Sequence, residues 1–227
     1  MAKQVLLVHG AWHNSAAFTP FISDLREVGL EVNTLDLLSA QRDGQPLGDL
    51  YHDAALVRST VTQMGDNVLV LGHSYGGMPI TEGLEGTTNV SRLVYLTAFM
   101  LGAGTSLMDA CGPVDPPWWI RSDDGESIFP ASPKDVFYNT SPLELAKAAA
   151  DSLRPQSVSS FSQKLTKCAW DSIPSTYILC RQDQAIPLVA QEAMSSQATK
   201  RIELDTDHSP FLSAPSELAE IIASEFN

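Results

Sequence analysis

Residues 72–77 read Gly-His-Ser-Tyr-Gly-Gly, and Val68 to Leu71 before them form an apolar run fit for a buried strand. The pattern is Gly-X-Ser-X-Gly between a strand and a helix. Gly72 and Gly76 lack a Cβ, so the chain can bend sharply and neighbouring elements can pass close together. Ser74 is then expected at the apex, its Oγ clear of the sheet. The free amides and positive dipole end of a helix starting at Tyr75 would lie beside it. This is the chemistry of a serine nucleophile. An ordinary strand-to-helix turn with Ser74 as an N-cap fits the same residues, so the rest of the chain decides between them.

A serine nucleophile needs a base, and the base needs a group to orient it. The chain order serine, acid, histidine is the one used with such an elbow. His208 lies in Asp205-Thr206-Asp207-His208-Ser209-Pro210-Phe211, between the expected last strand and the last helix. A neutral imidazole there can take the Ser74 proton and return it to a leaving group. Asp183, in Cys180-Arg181-Gln182-Asp183, follows the preceding strand and is the expected orienter. Asp205 and Asp207 compete for that role, but an aspartate beside the histidine does not easily curl back to its Nδ1. His9-Gly10-Ala11-Trp12 follows the first strand directly. The amides of Ala11 and Tyr75 are the expected oxyanion donors, each typically worth ~3 kcal/mol. His9 is read as structural, fixing its loop. Trp12 either walls a pocket or fills core. His13, His52, His73, Asp53 and Asp66 are read as surface or loop residues.

The elements that must position these residues alternate along the chain. Val5–Val8, Val32–Leu35, Val68–Leu71, Leu93–Leu96, Thr176–Leu179 and Lys200–Leu204 read as strands. Phe18, Phe21, Ile22 and Leu25 mark one helical stripe, and Leu50, Ala54, Val57, Val61 and Met64 another. Leu218, Ile221, Ile222 and Phe226 mark a third. The expected fold is α/β: a doubly wound, mostly parallel six-stranded sheet. The alternation breaks between about Gly102 and Ser172. Ser141-Pro142-Leu143-Glu144 reads there as an N-cap, a first-turn proline and a capping box, with Leu145, Ala148, Ala149 and Leu153 as the apolar face. The core is expected over 1–104 and 169–227, and a small helical cap over 105–168, inserted after the fourth strand at the ligand-binding edge.

The composition narrows the function. A length of 227 residues, 44% hydrophobic, suits one domain with an insertion. No apolar run reaches the ~18 residues of a membrane span. The net charge of −13 repels nucleic acid and anionic membranes, so neither is an expected partner. Cys111, Cys168 and Cys180 are widely spaced and odd in number, and read as reduced thiols. No zinc spacing occurs, and neither a metal nor an organic cofactor is expected. Met1-Ala2-Lys3-Gln4 leads straight into Val5, without a signal-peptide core. The expectation is a cytoplasmic monomer or homodimer acting on a small molecule.

With these residues in place, the chain resembles an α/β-hydrolase over about 1–104 and 169–227, and matches that family's cap only in position. Its His-Gly-Ala turn and compact size resemble the small branch containing methyl esterases and hydroxynitrile lyases. The family's first two strands are missing, leaving six. The lyases of this branch carry a threonine after the first-strand histidine and a lysine after the catalytic one. Gly10-Ala11 and Ser209 stand there instead, which argues against cyanide release. An aspartate elbow, as in haloalkane dehalogenases, is excluded by Ser74. The expected reaction is hydrolysis of a small, mainly apolar or aromatic carboxylic ester through an acyl-enzyme. Ester, thioester and lactone are not distinguished. Candidate pocket walls are Trp12, Phe99, Met100, Trp118, Trp119, Phe129, Phe137 and Tyr138. The alternatives are a retro-aldol or decarboxylating lyase using the same Ser–His pair, and a non-catalytic small-molecule receptor.

Overall fold

A computed structural model describes residues 3–40 and 44–226. The outer ends of the expected core, 1–2 and 227, lie outside the described residues, as do 41–43. Strand β1 (Lys3–Val8) leads through α1 (Thr19–Glu27) to β2 (Leu30–Thr34). Helix α2 (Leu50–Gln63) then returns the chain to β3 (Val68–His73). A 3₁₀ turn, Ser74–Gly76, opens α3 (Gly77–Gly83), and β4 (Val90–Leu96) follows.

The next stretch holds the inserted elements. They are α4 (Leu107–Cys111), β5 (Trp119–Arg121), β6 (Ser127–Pro130), α5 (Pro133–Phe137), α6 (Leu143–Asp151), β7 (Gln156–Ser157) and α7 (Val158–Ser162). The sheet resumes with β8 (Ser175–Cys180), α8 (Leu188–Ser195) and β9 (Lys200–Leu204), and the chain closes on α9 (Pro210–Ser213) and α10 (Pro215–Ser224).

The main sheet runs β2-β1-β3-β4-β8-β9, and every neighbouring pair is parallel. Four strands lie inside it, and their residues Val5–Val8, Val68–Leu71, Leu93–Leu96 and Tyr177–Cys180 are fully buried. Helices cover both faces of such strands, which is why these stretches read as continuous apolar runs. The edge strands β2 and β9 carry mixed exposure instead. From β1 the chain moves first toward β2 and then back across to β3, so the winding reverses between β1 and β3. Right-handed crossovers therefore put α1 on one face and α2, α3 and α8 on the other. Helix α10 packs beside α1, and α2 beside α3. A reversal of this kind opens a crevice at the carboxyl ends of the two strands. Residues 9–12 and Ser74 begin there.

The insertion differs from the helical cap read from the sequence. It contains a three-stranded antiparallel sheet, β5-β6-β7, beside its helices. Helix α6 also starts differently. Pro142 occupies the N-cap position, and the Ser141 hydroxyl, expected to cap, donates to Asp207 Oδ2 at 2.8 Å. A tertiary acceptor has won over the local amide. The buried stripe of α6 and the turn after it is Ala146 and Leu153, while Leu145 is 38% exposed. The insertion leaves and re-enters the core at one place: Ser106 bridges Lys164, and Gly104 N–H donates to the Leu165 carbonyl at 2.7 Å.

Helices α2 and α3 cross where Gly83 meets Ala54. A Cβ on Gly83 would stand 2.4 Å from the Ala54 carbonyl oxygen, so the helices would have to separate. Gly83→Ala is expected to lower folding stability by about 1–3 kcal/mol. Urea unfolding at constant m-value reads this directly, and a variant as stable as the wild type would contradict the close crossing.

Candidate active site

Ser74 has φ +54°, a left-handed conformation that a non-glycine residue adopts at a cost. Its surroundings enforce it. A Cβ on Gly72 would lie 2.7 Å from the Gly76 oxygen, and one on Gly76 would lie 2.6 Å from the Val8 oxygen. A Cβ on Gly10 would meet Ser74 Cβ and His73 Nδ1, each at 2.9 Å. The first loop and the elbow thus pack this closely because Gly10 and Gly76 carry no side chain, and the turn closes on itself because Gly72 carries none. The Phe99 N–H, after β4, donates to the Ser74 carbonyl at 3.0 Å and fixes the turn from the other side. Tyr75 N–H belongs to the first turn of the 3₁₀ segment and has no acceptor within it.

Asp183 and His208 come together from the ends of β8 and β9. His208 Nδ1 lies 2.7 Å from Asp183 Oδ2, with both side chains at most 1% exposed. The carboxylate is held on every side. Oδ1 accepts from the Ala185 and Ile186 amides at 2.6 and 3.0 Å, and Oδ2 from Thr97 Oγ1 at 2.5 Å. The two oxygens therefore cannot rotate away from the imidazole. With Nδ1–H turned to Asp183, the free Nε2 of a neutral ring is an acceptor. Asp207 is turned elsewhere: it accepts from Thr140 N–H, Ser141 Oγ, Ser209 N–H and Ser213 Oγ.

Three further histidines clamp backbone, and their acceptors settle their tautomers. His73 Nε2 lies 2.8 Å from the His208 carbonyl, which can only accept, so that nitrogen carries the proton. His9 Nε2 accepts from Leu37 N–H at 2.9 Å, leaving Nδ1–H to donate to the Gly10 carbonyl at 2.8 Å. His13 Nδ1–H donates to the Ala11 carbonyl at 2.7 Å, and its Nε2 accepts from Tyr138 Oη at 2.7 Å. Each ring is neutral. Burial lowers His9 to about 4 and His13 to about 3, and holds His73 well below the usual histidine range.

A second buried network lies under the elbow. Asp53 Oδ1 accepts from the Leu38 and Ser39 amides at 2.6 and 3.0 Å, and Oδ2 accepts from Tyr75 Oη at 2.8 Å and from Ser39 Oγ. Burial raises the Asp53 carboxyl to about 6 against these four donors. Gln156, from β7, extends the network by donating to Ser39 Oγ and Ser160 Oγ at 2.7 and 2.8 Å. Its Oε1 accepts from Trp12 N–H at 3.2 Å. Trp12 also donates its indole N–H to the Ile128 carbonyl at 2.9 Å and accepts from Arg154 N–H at 2.8 Å. The insertion therefore holds the first loop by its backbone.

A narrow pocket opens over Ser74. Ala11 and Tyr75 line it together with Ser74. Trp12, Phe99, Trp118, Trp119 and Phe137 line it, as does Phe161, which sequence reasoning passed over. Met100, Phe129 and Tyr138 do not. Met100 is fully buried in the core. Phe129 lies on the outward side of β6, 37% exposed, because its neighbour Ile128 takes the inward position. Tyr138 is turned to His13. Cys111 also lines the pocket, and burial pushes its thiol up to about 11, so it is uncharged. Among the described residues no cluster of three His, Cys, Asp or Glu side chains is placed to hold a metal ion, and no helix is long and apolar enough to cross a membrane.

Comparison with known proteins identifies the scaffold. Residues 5–221 match the family described as the alpha/beta hydrolase family. The chain belongs to that family. This alpha/beta hydrolase is similar to alpha/beta hydrolase nvfD of Aspergillus novofumigatus, with 28% identity covering 96% of this chain and 94% of that one. It is also similar to methylesterase 1 of Arabidopsis thaliana, with 26% identity and coverage of 96% and 94%. The solved structure of a pyrethroid hydrolase from Sphingobium faniae JZ-2 shares its fold, with a TM-score of 0.87 over 100% of this chain and 98% of that chain at 24% identity.

His13, His73, Asp53 and Asp207 were missed or undervalued in the sequence, and the first three are buried in the structure rather than at the surface. Asp53 carried a signal: it falls three residues after Leu50 and four before Val57, on the apolar stripe of α2. A carboxylate there needs partners. His13 and His73 carried no comparable signal, because the groups that hold them, the Tyr138 hydroxyl and the His208 carbonyl, are distant in the chain.

A buried histidine that rejects its proton costs stability in acid. The unfolded chain binds that proton below about pH 6.5 and the folded one does not, so stability falls as pH drops through this window, by about 1.4 kcal/mol per pH unit for each such ring. For His13 the window runs from its ordinary value of 6.5 down to about 3. His13→Asn, which cannot titrate, is expected to lose about 2 kcal/mol less than the wild type between pH 6.5 and pH 5, by urea unfolding. Equal losses would refute the assignment.

Proposed function

We propose that this alpha/beta hydrolase is a serine carboxylic-ester hydrolase, with Ser74 as nucleophile, His208 as base and acid, and Asp183 as orienter. The observation that carries the reading is the buried His208–Asp183 pair at 2.7 Å, on the same sheet edge as a serine at φ +54°. Ser74 Oγ attacks the ester carbonyl while its proton passes to His208 Nε2. Asp183 stabilises the resulting imidazolium without taking the proton itself. The Ala11 and Tyr75 amides receive the developing oxyanion. The C–O bond then breaks, and His208 protonates the departing alcohol. A water, deprotonated by His208, cleaves the acyl-enzyme and restores Ser74.

The pocket indicates the substrate class. Its lining carries no ionised side chain among the described residues, and its walls are largely aromatic. A carboxylate or ammonium on the substrate would lose its hydration there without a partner. A small, neutral ester with an aromatic or otherwise flat apolar group fits this lining. The methylesterase named among the relatives supports ester chemistry in general.

Ser74→Ala is expected to lower kcat/KM for an aryl acetate by about 10⁴- to 10⁶-fold with the fold intact. A small fluorophosphonate should add one adduct mass to the wild type and none to the variant. Turnover by Ser74→Ala at the wild-type rate would sink the mechanism. Among neutral and carboxylate-bearing esters of equal size, the neutral ones are expected to react at least about tenfold faster, reflecting ~1.4 kcal/mol or more of unreturned desolvation. The reverse order in a competition assay would show that the lining does not select against charge.

A further inference from the structure

Residues Tyr138 to Ser141, between α5 and α6, touch three of the four loops that carry the proposed machinery, all but the Ser74 elbow. Tyr138 Oη donates to His13 Nε2 at 2.7 Å, and His13 holds the Ala11 carbonyl of the first loop. Asn139 Nδ2 donates to the Gln182 carbonyl at 3.1 Å, one residue before Asp183. Thr140 N–H and Ser141 Oγ donate to Asp207 Oδ2 at 2.9 and 2.8 Å. Asp207 N–H returns a bond to Thr140 Oγ1 at 3.1 Å, one residue before His208.

Asp207 is the hub of this arrangement and is fully buried. One oxygen braces its own loop through Ser209 N–H and Ser213 Oγ, at 3.0 and 2.9 Å. The other reaches the insertion. The loops concerned follow β1, β8 and β9. β8 and β9 are neighbours in the sheet, while β3 and β4 separate β1 from them. Each strand fixes the start of its own loop. The strap is a connection that meets all three beyond the strand ends.

We infer that Asp207 and the strap Tyr138–Ser141 are positioning elements for the reaction, holding the loops of Ala11, Asp183 and His208 in register so that the insertion governs turnover through contacts that never meet substrate. The inference rests on the hydrolase reading above. Its physical basis is a difference in sensitivity. One side-chain hydrogen bond contributes only about 0.5–1.5 kcal/mol to folding, whereas a displacement of about 1 Å between reacting groups costs roughly a hundredfold in rate. Loosening the strap at its exposed end should therefore tell on kcat far more than on stability.

The test combines Thr140→Val with Ser141→Ala, which removes both strap hydroxyls at Asp207 and leaves the Thr140 backbone bond. Kinetics use the aryl acetate, alongside thermal melting. The double variant is expected to lower kcat by at least about fivefold, with KM within about twofold and little change in Tm. Thr140→Ser combined with Ser141→Ala restores the acceptor oxygen and should recover part of the loss. Asp207→Asn should show the larger kcat defect if it folds, and the double variant decides if it does not. A kcat decrease below about fivefold, a change confined to KM, or a loss explained by unfolded protein would each overturn the inference. Ser74→Ala run in parallel separates the two readings. If it is inactive while the double variant keeps the wild-type rate, only the strap falls. If it is fully active, the hydrolase reading falls with it.

Discussion

The site depends on a backbone approach too close for side chains. Gly10, Gly72 and Gly76 let the first loop, the end of β3 and the start of the following turn meet within van der Waals distance. Ser74 takes up the strain as a left-handed residue. A Cβ on Gly10 or Gly76 would push the first loop from the elbow, and one on Gly72 would push apart the two ends of the turn itself. The rest of the architecture serves this junction. The reversal of winding between β1 and β3 puts two strand ends side by side, and the buried inner strands supply a rigid base against which the strained turn is held.

Around that junction the protein holds loops with neutral imidazoles. A histidine gives one donor and one acceptor on opposite sides of a flat ring, so a buried one can join two segments without bringing in charge. His9 ties the first loop to the segment at Leu37, His13 ties it to Tyr138, and His73 ties the elbow to the His208 carbonyl. Desolvation keeps these rings unprotonated where a lysine would demand a counter-ion. Next to the His208–Asp183 pair this matters, since a second cation would compete for the carboxylate.

Much of this was legible in the sequence, for a physical reason. Elements buried on both faces must be apolar throughout, so the inner strands stood out, and the turn chemistry of Gly72–Gly76 marked the elbow. His208 and Asp183 could be placed by asking which loops share the sheet's carboxyl edge with Ser74. What stayed hidden depends on contacts between distant segments. The capping box at Ser141 followed local rules correctly, yet a buried carboxylate 66 residues away took the hydroxyl. The short strands of the insertion escaped notice because β7 has only two residues and little alternation to read. Phe129 was counted as a pocket wall because an aromatic residue's facing cannot be read without knowing the strand that carries it.

The side-by-side ends of the insertion, at Gly104 and Leu165, bear on how such a chain diversifies. Because the excursion closes on itself, the sheet is indifferent to what lies between those points, and the entropic cost of a longer or shorter excursion grows only with the logarithm of its length. Pocket walls and scaffold are thereby separable: the aromatic walls contributed by residues 116–161 can be lengthened, shortened or rebuilt by point change and indel while the strands beneath stay as they are. The constraint on that freedom is what the insertion holds in the core, through the four-residue strap and through the bonds of Ile128, Arg154 and Gln156 to Trp12, which any redrawn insertion would have to reproduce or replace.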